Sequence, residues 1–167
     1  MSQNRVSFQT ADGVAIVGDW SMAQGAKNAV LLLHMMPATK VSWQPLSQAL
    51  NQAGFATLAI DLRGHGESTN RAQETGNGEP LDYKNFTDTE HQSSRLDVDA
   101  AMNFLKSKGF TEENISFVGA SIGANLALDA LYRYKGAARA VLLSPGLDYR
   151  GVSSKPAMSS LSAELKV

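Results

Sequence analysis

Four short runs constrain this chain more than any other feature. Residues 29–33 (AVLLL), 55–60 (FATLAI), 115–119 (ISFVG) and 140–143 (AVLL) are apolar with little interruption. A strand that alternates apolar and polar residues shows one face to water, whereas one without alternation is buried on both faces. Stretches at helical spacing separate the runs. Trp43, Leu46 and Leu50 share a helical face, and Gly54 closes that segment. Residues 90–108 are predicted to form one helix, with Val98, Ala101 and Leu105 on one side and Gly109 at its end. Residues 121–134 show Ile122, Leu126, Ala130 and Tyr134 at the same period. Strands alternating with helices predict an α/β fold, a mostly parallel sheet with helices on both faces.

The flanking segments complete the architecture. Around Asp12-Gly13 the chain alternates apolar and polar residues, and that pair is a hairpin signal. Two antiparallel strands are expected near residues 5–9 and 14–21. Residues 62–90 are polar and read as a long loop, of the kind that is functional or mobile. After Gly151 the tail is polar, and Pro156, Met158, Leu161 and Leu165 suit a short amphipathic helix near residues 156–166. The 167 residues suffice for one domain with a sizeable core.

Charge and composition exclude several function classes. The formal net charge is −1 and no basic block occurs, so nucleic acid and anionic membrane find no concentrated positive field. The chain has no Cys, and its three His are scattered without ligand spacing. No metal and no cofactor are expected. The first residues lack a signal-peptide core, and no run of 18 apolar residues is present, so a cytoplasmic protein is the default expectation.

The chemistry-bearing stretch is FVGASIGAN, residues 117–125. It holds G-x-S-x-G between a predicted strand and a predicted helix. In a sharp strand-to-helix turn Ser121 would carry strained dihedrals, and Gly119 and Gly123 would let the two backbones approach without a Cβ clash. The turn would also set the Ile122 amide at a helix N-terminus, where negative charge is favoured. The plain alternative is a helix-capping Ser with small neighbours; the pentapeptide alone does not decide between the two.

With LLLHMM at 31–36, LAIDLRGHGES at 58–68, FVGASIGAN and AVLLSPGLD at 140–148, the chain resembles the α/β-hydrolase family. The resemblance covers about residues 1–150. It implies a three-layer sandwich with about six of the family's eight strands. It also implies a serine hydrolase that cleaves a small-molecule ester, or a thioester or amide, through an acyl-enzyme. Ser121 corresponds to the nucleophile. The amides of Ile122 and of Met35 or Met36 correspond to the oxyanion hole. His34 corresponds to a residue packing the oxyanion loop, and His65 to one bracing a tight turn with Asp61 and Arg63. The family's usual Gly after His34 is Met35 here. Met35, Met36, Trp43 and Met158 are candidates for an acyl pocket and equally for packing. His91 opens a helix and is expected to be solvated.

The triad is incomplete. In this fold the acid and then the His follow the nucleophile. After Ser121 come Asp129, Asp148 and Glu164, but no His. Asp129 sits too far along the helix. Asp148, past the family's sixth strand, is the candidate acid. The seventh and eighth strands are not found, so the chain is expected to be a C-terminally incomplete domain spanning residues 1–167. Its sixth strand would be an apolar edge inviting self-association. Three readings stay open: an impaired serine hydrolase, a non-catalytic ligand-binding or interaction domain, and one half of a complementing pair.

Overall fold

The computed structural model describes residues 4–71 and 80–164. The hairpin pairs β1 (Asn4–Gln9) with β2 (Val14–Met22), from Asn4 opposite Trp20 to Gln9 opposite Ala15. The buried runs follow as β3 (Ala29–Leu33) and β4 (Ala56–Ile60), with α1 (Gln44–Gln52) between them. A two-residue β5 (Asn70–Arg71) precedes α2 (Asp88–Gln92) and α3 (Arg95–Ser107). Next come β6 (Ile115–Ala120), α4 (Ile122–Arg133) and β7 (Arg139–Leu143). A small hairpin of β8 (Asp148–Tyr149) and β9 (Val152–Ser153) leads into α5 (Lys155–Glu164).

The main sheet runs β1-β2-β4-β3-β6-β7, with β5 added on β2. The pairs β4/β3, β3/β6 and β6/β7 are parallel, while β1/β2 and β2/β4 are antiparallel. Every residue of β3 and β4 is buried, as their unbroken apolar sequences require. The pleat divides their side chains. Leu31 lies level with Leu58 and Phe117, and this row meets Val98, Met102 and Leu105 of α3 and Leu126 of α4. Leu32 lies level with Ala59 and Val118, and this row meets Trp43 and Leu46 beside α1. Helices thus cover both faces of a mixed sheet.

At β7 the covering stops. Ala140 and Leu142 pack toward the larger core, but Val141 is 53% exposed and Leu143 48%. They edge an apolar groove of about 430 Å³ that also takes in Val30, Leu50, Phe55 and Val118. The tail helix α5 does not close it, because α5 packs against α4 on the other face.

Two elements differ from the sequence expectations. The helix expected over 90–108 is two helices, broken at Ser93-Ser94. A capping box starts α2 early: the Thr87 hydroxyl accepts the Glu90 amide (3.3 Å), and the Glu90 carboxylate accepts the Thr87 amide (2.7 Å). The Ser93 hydroxyl then donates back to the Thr89 carbonyl, a bond that bends helices. The loop over 62–90 contains β5 and a 3-10 turn at Tyr83–Asn85; its residues 72–79 lie outside the described residues. The tail helix is present, but the Leu161 side chain and Leu165 lie outside the described residues. No described helix is long and apolar enough to cross a membrane.

Candidate active site

Parallel strands deliver their following loops to one rim of the sheet. Here β3 delivers His34 to Pro37, β4 delivers Asp61, β6 delivers Ser121, and β7 delivers residues 144–151. Ser121 stands at φ 53°, ψ −119°, outside both the helical and the extended regions. For a residue with a Cβ this is a strained conformation, of a kind that concentrates at functional sites. Its neighbours explain how the turn fits. A Cβ on Gly119 would lie 2.0 Å from the Gly123 carbonyl oxygen, and one on Gly123 would lie 2.3 Å from the Leu33 carbonyl oxygen. Only glycines let α4 begin this close to β6 and β3.

The Ser121 amide donates to the Leu143 carbonyl (2.9 Å), and its carbonyl accepts the amides of Ala124 and Asn125. Among the described residues the Ser121 hydroxyl makes no hydrogen bond, and the Ile122 amide, first in α4, has no acceptor. The Met35 carbonyl is doubly used, by the Ala38 amide (2.8 Å) and by His34 Nδ1 (2.9 Å). The Met35 and Met36 amides, in contrast, have no acceptor among the described residues. Three amides without acceptors among the described residues are thus the first of α4, directly after Ser121, and two on the loop after β3.

The histidines play different parts. His34 is fully buried. Its Nε2 accepts the Leu62 amide (3.0 Å), so Nδ1 carries the proton and donates it to the Met35 carbonyl. Burial pushes its pKa down to about 4. His65 donates from Nδ1 to the Arg63 carbonyl (3.0 Å) and stacks on Tyr83, and its buried Nε2 has no partner. Its pKa is also lowered by burial. His91 corrects an expectation: it is 2% exposed, not solvated. The break after α2 turns it inward, edge-on to Phe86. Burial lowers its pKa, with Arg150 adding repulsion.

A turn locked by charge supports the rim. Asp61 is fully buried and accepts the Lys40 amide (2.7 Å), Lys40 Nζ (2.8 Å) and the Glu67 amide (2.9 Å). Arg63 reaches Asp97 (2.8 Å) and Asp12 (2.7 Å). A Cβ on Gly66 would fall on the Asp61 carboxylate, so the turn closes only around glycine. The burial of Lys40 was not legible in sequence. The available signal was Asp61 itself, a carboxylate at the end of a buried strand that needs a cation.

Asp148 lies on β8, exposed, its carboxylate accepting the Gly151 amide (2.8 Å). Asn125 of α4 ties this hairpin down, donating to the Val152 carbonyl and accepting the Gly146 amide. Of the acyl-pocket candidates, Met36 alone lines a cavity described at this rim. That cavity holds about 360 Å³ and is shared with Pro37, Tyr83, Lys84, His91 and Arg150. Trp43 is in the core against α1, and Met35 and Met158 are about half exposed. Sequence reasoning missed Tyr83, Lys84 and Arg150, since three separate loops meet there and no local pattern marks it.

Comparisons with known proteins agree with this fold. A family model for serine aminopeptidase, S33, matches residues 24–166. An esterase of Pyrococcus furiosus is similar in structure, with a TM-score of 0.66 and 25% identity over 86% of this chain and 52% of its own. An epoxide hydrolase from an endophytic Streptomyces has a TM-score of 0.63 and 28% identity over 85% of this chain and 37% of its own. The bifunctional epoxide hydrolase 2 of Sus scrofa is 47% identical over 45 residues, 27% of this chain and 8% of that protein. The chain thus spans about half the length of the esterase and a small part of the curated relatives.

Proposed function

The chain belongs to the serine aminopeptidase S33 family, and on that premise we propose that it carries the nucleophile and oxyanion side of a serine hydrolase. The bond attacked is an ester, or a thioester or amide, in a small molecule. The Ser121 hydroxyl adds to the carbonyl carbon. The Ile122 amide, with that of Met35 or Met36, donates to the oxygen as it gains charge. Collapse expels the leaving group and leaves acyl-Ser121, which water then cleaves. The observation that carries this reading is the strained turn at Ser121, followed directly by the Ile122 amide, which has no acceptor among the described residues.

The weak point is the proton. No His follows Ser121, His34 has both ring nitrogens engaged, and the Ser121 hydroxyl touches no base among the described residues. Asp148 remains the candidate acid, with no His to orient. Loss of a triad base costs roughly 10⁶-fold in turnover and leaves about 10³–10⁴ over water. The chain alone is therefore an impaired catalyst. A fluorophosphonate followed by intact mass spectrometry tests this. Slow labelling of Ser121 that accelerates with hydroxide and disappears in Ser121→Ala is expected. Labelling that survives Ser121→Ala would remove Ser121 from the role.

The second reading is a non-catalytic ligand-binding domain. The engaged His34 and the unpartnered Ser121 hydroxyl favour it. It holds if an activated ester raises the melting temperature yet never acylates Ser121.

A further inference from the structure

The cavity beside Met36 has a chemistry that the proposed reaction does not use. Part of its lining is apolar or aromatic: Met36, Pro37 and Tyr83. The rest is Lys84, His91 and Arg150. Neither Lys84 nor Arg150 has an ion-pair partner among the described residues, although ten such pairs occur elsewhere. No acid on the surrounding segments forms an ion pair with either among the described residues: Asp82 accepts the Lys84 amide (3.0 Å), not its ammonium. Glu90 is held by the amide and hydroxyl of Thr87, and Asp148 by the Gly151 amide. Asp88, the other acid of the α2 first turn, is left exposed to solvent.

Arg150 is held there at a conformational cost. Tyr149 pairs with Val152, so Arg150 and Gly151 form a two-residue turn, with φ of 52° and 76°. Positive φ at both positions suits Asn-Gly or Gly-Gly. An Arg at the first position is a costly choice for a turn, and its side chain reaches the cavity. Asn125 anchors the hairpin to the helix that begins at Ser121, so the backbone that carries Arg150 is tied to that helix.

We infer that this cavity is an anion subsite, in which Arg150 and Lys84 bind a carboxylate or phosphate group of the substrate while Met36, Pro37 and Tyr83 hold the apolar carbons beside it. The inference rests on the hydrolase reading for the word substrate, but not for binding. Because the cavity adjoins the Met35-Met36 amides, an ester with an anionic end a few carbons from its carbonyl fits both sites at once. A neutral ester leaves two cations without a counter-charge.

The test is calorimetric binding to the Ser121→Ala chain, so that acylation plays no part. The probes are monomethyl glutarate, dimethyl glutarate (the same skeleton without charge) and methyl phosphate. The monoester should bind about tenfold or more tightly than the diester, as charge-assisted hydrogen bonds require. The preference should persist in Arg150→Lys and vanish in Arg150→Gln/Lys84→Gln. The His91 ring resonances should move with the anions, placing them in this cavity. Whether methyl phosphate or monomethyl glutarate binds more tightly identifies the anion. Equal affinity for the two esters, or a preference that outlives the double variant in a chain that still melts cooperatively, overturns the proposal. Failure of Ser121 to label with fluorophosphonate, with anion preference intact, would instead remove the hydrolase reading alone.

Discussion

Ser121 and His34 show how much a single residue reveals before folding. The elbow was legible because its physics is local: a Ser between two glycines needs only the strand before it and the helix after it. His34 was legible only in kind, because its state depends on the distant Leu62 amide. That state makes a prediction. Folded His34 stays neutral down to about pH 4, while an exposed histidine takes its proton near 6.5. Between those values the unfolded chain holds more protons, so stability is complete above the window and declines as pH falls through it. Moving from about pH 7.5 to about pH 4.5 should cost roughly 2.5 kcal/mol through this one residue. Urea unfolding of wild type and His34→Gln at both values reads it out. The variant should lose less stability on acidification; an identical loss would mean that His34 takes up its proton in place. His91 went the other way, from expected solvation to burial, because the break between α2 and α3 decides its direction and lies outside its own periodicity.

Elements repeated this division. Strand positions came from unbroken apolar runs and needed no tertiary information, so β3 and β7 lie where the sequence reading put them. The 62–90 segment did not yield, because its order comes from side chains that reach across the fold. Lys40, from the turn before α1, holds Asp61 at the end of β4, and Arg63 ties the same turn to α3 through Asp97. Removing one partner of a buried pair strands the other charge. Lys40→Ala and Lys40→Met should therefore both destabilise the fold by about 3–5 kcal/mol, since the Met chain fills space but brings no charge. Glu67→Gln should cost less than about 1 kcal/mol, because that carboxylate is 46% exposed and well solvated. Chemical denaturation of the three variants separates the cases. A Lys40→Met chain as stable as wild type would show that the ammonium matters only as bulk.

At the scale of the whole molecule, the sheet has β7 as its edge strand. The strand order β1-β2-β4-β3-β6-β7 places an apolar strand at the rim, with nothing on its outer edge among the described residues. Soluble proteins blunt such edges with charge, bulges or a covering element. Here only Arg139, at the start of β7, carries charge, while Val141, Leu143 and the following Leu147 are exposed. Alone in solution, the partner always at hand is a second copy, and an edge strand can pair antiparallel with itself about a two-fold axis. Each copy would supply its row of free amides and carbonyls, and the Val141 and Leu143 side chains would cover one another's groove. Sedimentation velocity at tens of micromolar should show reversible association that weakens on dilution. Val141→Lys and Leu143→Lys should shift the chain to monomer without lowering the melting temperature of dilute, monomeric protein, because both side chains are about half exposed. A wild-type chain that stays monomeric throughout, or lysine variants that associate equally well, would show that β7 is protected by something other than pairing.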